Sequence, residues 1–171
     1  GVKNLLNPDN GIFVTESHYA VNILNEMQFD SIYHEHLRFY LLKPLIFLLN
    51  KYGFNVIDAS RIPNYAGSIR VTATLNKKIK PKKSIKQILN KEKKEGFYSE
   101  NKYKQYAKKV IKVKKDLSEM LWKLKLNKQR IVGVGCPGRS ITLLAYYSAE
   151  LRQYQIVSYL QRSVALYYIS T

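Results

Sequence analysis

Arg130-Ile131-Val132-Gly133-Val134-Gly135-Cys136-Pro137-Gly138 reads as a β-branched strand running into a glycine turn, and Ser140-Ile141-Thr142-Leu143-Leu144 as the helix that leaves it. A strand, a tight turn and a helix in that order specify an α/β arrangement, because each element must cover the apolar face of the other. The turn has the G-x-G-x-x-G spacing, in which backbone amides at a helix start can cradle a phosphate. Gly133, Gly135 and Gly138, with Arg139 just after them, are therefore candidate substrate-binding positions. A dinucleotide site also needs a carboxylate about 20 positions on to hold a ribose. Ser158-Tyr159-Leu160-Gln161 offers none, so NAD is not expected. Pro137 removes one amide donor from the turn, and a plain strand-to-helix connection fits the same letters. Cys136 has no base near it in sequence and suits a small packing residue as well as a nucleophile.

Working outward, residues 102–126 place Tyr103, Tyr106, Val110, Val113, Leu117, Leu121 and Leu124 three and four apart. This predicts an amphipathic helix with a Lys-rich outer face, bridging two domains. Residues 77–94 are dense in lysine and contain Pro81, which predicts a boundary or solvated arm, with a linker over 77–101. Upstream of it, Ile12-Phe13-Val14-Thr15 and Asn55-Val56-Ile57-Asp58-Ala59 read as strands. Ser68-Ile69-Arg70-Val71-Thr72-Ala73-Thr74 alternates at period two, so the last two runs predict an antiparallel hairpin. Residues 37–52 carry leucines at helical spacing, and Gly53 stands where a left-handed cap ends a helix. The ending suits the edge of a largely parallel α/β sheet.

The chain has 171 residues and 46% apolar content, enough for a real core in one domain or pieces of two. No apolar run approaches the roughly 20 residues of a spanning helix, and no basic-then-apolar leader opens the sequence. The single cysteine excludes an internal disulfide framework, which together with the missing leader predicts a cytoplasmic protein without membrane partners. A formal net charge of +17 attracts polyanions, but most of it is lysine, a poor discriminator. A basic nucleic-acid-binding module, with tyrosines among the lysines of 77–128 stacking on bases, is the alternative function.

The densest reactive cluster is Tyr33-His34-Glu35-His36. A histidine there can act as a general base, with Tyr33 or Glu35 orienting its ring or stabilising charge on a substrate. The same residues also fit a role in capping and packing the helix that follows. A metal site is a third option, since His34 and His36 face one way on a strand and His18 can join them, but no cysteine or recognised ligand spacing accompanies them.

Phe29-Asp30-Ser31-Ile32-Tyr33-His34-Glu35-His36-Leu37, then Ile62-Pro63, Gly67-Ser68-Ile69-Arg70-Val71 and the glycine turn with Arg139-Ser140, together resemble the sugar C-methyltransferase family in order and spacing. The resemblance implies the C-terminal part of a Rossmann-type methyltransferase sheet (1–76), joined by the Lys-rich segment (77–101) to a bridging helix and a partial Rossmann-like C-terminal domain (102–171). It implies transfer of methyl from S-adenosylmethionine to a nucleotide-linked keto-deoxysugar held between domains. His36 is then the base, with Tyr33 and Glu35 beside it. Relatives carry a zinc-binding segment and a glycine-rich cofactor loop, neither matched here, so the chain is expected to be inactive alone unless an upstream chain supplies the cofactor half. A noncatalytic nucleotide-binding partner is a further alternative. Tyr65-Ala66 stands where many relatives have His or Asn followed by Gly, and the likeness fades after about residue 150.

Overall fold

A computed structural model describes residues 1–63, 66–134, 138–146, 155–157 and 165–169. They form two compact units, one of residues 1–27 and 38–104, the other of residues 28–37 and 105–171.

The first unit is built on a three-stranded antiparallel sheet with β3 (Ser68–Thr74) between β1 (Ile12–His18) and β2 (Asn55–Ile62). Register pairs Val14 with Thr72 and Ile62 with Ser68, so the predicted hairpin forms. Ile69, Val71 and Ala73 are fully buried, as the middle strand of the sheet requires. The short α1 (Val2–Leu5) precedes β1, and α2 (Ala20–Asn25) follows it. The helix α3 (Leu42–Lys51) begins five residues later than expected, with Pro44 tolerated in its first turn and Gly53 at φ +88° ending it. Its Leu42 and Leu45 join Tyr19, Val21, Phe54 and Val56 in the core.

Residues 77–101 are not the linker that their charge predicted: they carry α4 (Lys83–Lys94), packed on β2 and α3. Ile85, Ile88, Leu89 and Glu92 fall at i, i+3, i+4 and i+7, one helix face that the surrounding lysines disguise. Ile85 packs in the core with Ile88 and Leu89 against it, while Glu92 is wholly buried. Lys82 and Ser84 both donate to the Asp58 carboxylate on β2, pinning the start of α4 and holding that carboxyl below its ordinary range.

The helix α5 (Glu100–Leu126) starts in the first unit and continues in the second. In the second unit β4 (Arg130–Val134) lies between β5 (Gln155–Val157), to which it is parallel, and β6 (Ala165–Ile169), to which it is antiparallel. The helix α6 (Gly138–Tyr146) follows β4, so the expected strand and helix both form, while residues 135–137 of the glycine turn lie outside the described residues. Leu121 and Ile131 form a small core with Phe29, Leu117, Leu124, Leu143 and Tyr146 packed on it.

Candidate active site

Residues 32–41 are not helical, and the Tyr33-His34-Glu35-His36 run lies on this loop within the second unit. A single 3-10 turn, Phe29–Ser31, leads into it and packs on α6. The chain turns again within the cluster, where the His36 amide donates to the Tyr33 carbonyl at 3.0 Å. Three aromatic rings therefore meet: Tyr33 stands edge-on to His34 at 5.5 Å and to His36 at 5.1 Å between centroids. His36 is half-buried, whereas His34 and Glu35 are exposed. The imidazole at position 36 is thus neither sealed in hydrocarbon nor loose in solvent.

The Tyr33 hydroxyl donates to Glu35 at 2.7 Å. That bond first, then desolvation and the carboxylate's charge, hold the phenol above its ordinary value, so at neutral pH Tyr33 is a proton donor and not a base.

The start of α6 comes to the same place. A Cβ added at Gly138 would stand 3.4 Å from Tyr33 Cε2, so the first residue of α6 lies against the tyrosine ring. Arg139 donates two hydrogen bonds to Asp30, in the 3-10 turn, and this pair ties the start of α6 to the histidine loop. Its guanidinium, expected to serve a substrate, is engaged with a carboxylate. Gly133 lies in β4, and Gly135 and Cys136 fall outside the described residues. Sequence reading missed Asp30. Its signal was an acidic residue three positions ahead of Tyr33, with an arginine after the glycine turn to match it.

His18 ends β1 in the first unit, where its ring stands edge-on to Phe39. Among the described residues no group of three or more His, Cys, Asp or Glu side chains can hold a metal ion. In the first unit β1 passes into α2 through Tyr19, without a glycine at the junction to open an amide cradle for a nucleoside cofactor. Of the tyrosines in the Lys-rich stretch, Tyr103 donates its hydroxyl to the Phe97 carbonyl and Tyr106 buries its own. No helix among the described residues is long and apolar enough to cross a membrane.

Residues 63–162 match the family model described as the C-methyltransferase C-terminal domain. The chain belongs to that family. It is also 30% identical over 148 residues to C-methyltransferase NovU of Streptomyces niveus, an alignment covering 85% of this chain and 34% of that protein. The chain thus spans about a third of the length of this curated relative.

Proposed function

We propose that this chain is the part of a sugar C-methyltransferase that removes a proton from a nucleotide-linked keto-deoxysugar, with His36 as the base. The observation that carries the reading is the gathering of Tyr33, Glu35 and His36 on one loop that packs against Gly138 at the start of α6. A proton on carbon next to a keto group is acidic enough for a neutral imidazole to remove when base and carbon are held in line. The imidazolium that forms faces the edge of Tyr33, whose hydroxyl is directed to Glu35 and cannot compete for the proton. The glycine turn, with Gly133, Gly135 and Gly138, serves the nucleotide end, where amides at a helix start suit phosphate. S-adenosylmethionine supplies the methyl group and is held by sequence outside this chain, so this segment does not transfer methyl alone.

The test uses the purified chain, labelled S-adenosylmethionine and a nucleotide keto-sugar in deuterated water. The expected result is deuterium next to the keto group without methylation, and loss of that exchange in His36→Gln. Exchange that survives the substitution removes the base, and robust methylation removes the partial-enzyme reading. The lysines on the outer face of α5 support the alternative of a nucleic-acid module, which salt-sensitive retardation of RNA or DNA would reveal.

A further inference from the structure

The helix α5 carries apolar residues on two sides. Within the second unit, Leu117 and Leu124 pack against the small core that the fully buried Leu121 shares with Ile131. Away from Leu117 and Leu124, Ile111, Trp122 and Leu126 are 61%, 50% and 74% exposed. At about 100° of turn per residue, these three fall within about 60° of one another on the helix surface, in a row about 22 Å long. Lys108 and Lys115 share that row, and Lys125 places its ammonium 5.0 Å from the centroid of the Trp122 ring.

The core accounts for the first side only. Between residues 105 and 126 the helix sets seven lysines against two acids, Asp116 and Glu119. Asp116 pairs with Lys112 and Glu119 with Lys115, which leaves the surface around the exposed row strongly positive.

We propose that this face of α5 docks on an anionic phospholipid surface. Apolar side chains gathered on one exposed face mark a contact site. Ile, Trp and Leu among lysines suit a bilayer boundary, where apolar tips enter the acyl region and ammonium groups reach back to the headgroup phosphates. Trp122 under Lys125 repeats that arrangement in one pair, an apolar body beside a cation. A second copy of the chain fits poorly, since the same lysines would meet one another and the formal net charge is +17. Nucleic acid matches the lysines and the indole but leaves Ile111 and Leu126 in water. The lack of a spanning run, from which no membrane partner is expected, does not bear on a helix that lies on the surface. This face goes beyond the proton-abstraction assignment and is independent of His36.

Trp122 is the one tryptophan of the chain, so its fluorescence reports on this face alone. The experiment is sedimentation and fluorescence of the whole chain with vesicles of phosphatidylcholine and phosphatidylserine at about three to one, beside vesicles of phosphatidylcholine only. The chain sediments with the mixed vesicles and not with the neutral ones, its emission moves to the blue, and bromine-labelled acyl chains quench it. Ile111→Ser with Leu126→Ser weakens binding about tenfold or more, and Lys108→Gln with Lys115→Gln does the same. All four side chains are exposed, so circular dichroism stays that of the unaltered chain. Failure to sediment with the mixed vesicles, sedimentation without blue shift or quenching, or binding indifferent to both pairs of substitutions each overturns the proposal. Retardation of RNA that the Ile111 and Leu126 pair weakens equally reassigns the face to nucleic acid, and a dimer lost in that pair reassigns it to a second copy.

Discussion

Arg139 grips Asp30 across 109 positions of sequence, its Nε donating to one carboxylate oxygen at 3.1 Å and its Nη2 to the other at 2.7 Å. Two parallel bonds fix the relative orientation of the planes as well as the distance. One end of the fork is in the turn that leads to Tyr33 and His36, and the other follows Gly138. Placement of the histidine loop thus depends on a contact outside the loop itself.

Asp30→Asn keeps the shape and removes the charge. It is expected to cost about 1 kcal/mol, at the lower end for a charge-assisted pair because the Arg139 and Asp30 side chains are 40% and 29% exposed. Urea unfolding measures this. The double variant with Arg139→Gln should be little worse than either single one, and strict additivity would show that the two do not act together.

Gly138 separates two outcomes. Its hypothetical Cβ makes an ordinary 3.4 Å contact with the Tyr33 ring, so Gly138→Ala should change stability by less than about 1 kcal/mol. Gly138→Leu has no room and should push Tyr33 from Glu35. The Tyr33 phenol, followed by NMR of ring-labelled tyrosine, then titrates nearer its ordinary value, while in Gly138→Ala it remains raised.

Tyr106 predicts an alkaline limit. Burial first, then the Asp30 charge, push its phenol up to about 12. Since the folded value lies above the unfolded one of about 10, this stability is complete below about pH 10 and is lost as pH climbs towards 12. The Tyr106 hydroxyl is buried without a hydrogen-bond partner among the described residues. Tyr106→Phe should therefore raise stability by up to about 1 kcal/mol and flatten that limb, read from melting temperatures between pH 8 and 12.

Glu92 is wholly buried and accepts hydrogen bonds from the Tyr19 hydroxyl at 2.9 Å, the Leu42 amide at 2.6 Å and the Tyr98 hydroxyl. Glu92→Leu strands all three donors and should cost about 3 kcal/mol or more by urea unfolding, whereas Glu92→Gln should cost less. Equal effects of the two would show that volume, not acceptance, is what matters there.

Strands β1 to β4 and α5 were legible in sequence because their residues form short β-branched runs or recur at periods of two or of three and four. The helix α4 was not, and Glu92 is the reason. Its buried face ends in a carboxylate, which periodicity counts as solvent-facing, and its satisfied state depends on Tyr19 and on Leu42, 73 and 50 positions away. The histidine cluster was visible as a dense run of reactive letters. Its attachment to Gly138 and its dependence on Asp30 were not, since no local pattern encodes a contact over a hundred residues long.

The lysines around position 92 can drift to almost any solvated side chain without much effect on folding, and their abundance records how little that surface demands. Glutamate differs from lysine by one base in the genetic code, so the bias that filled α4 with cations is always a single step from doing so at Glu92. There it would set an ammonium group against the Leu42 amide, donor facing donor. Purifying selection on this helix should accordingly fall on one acidic codon in a field of tolerant basic ones.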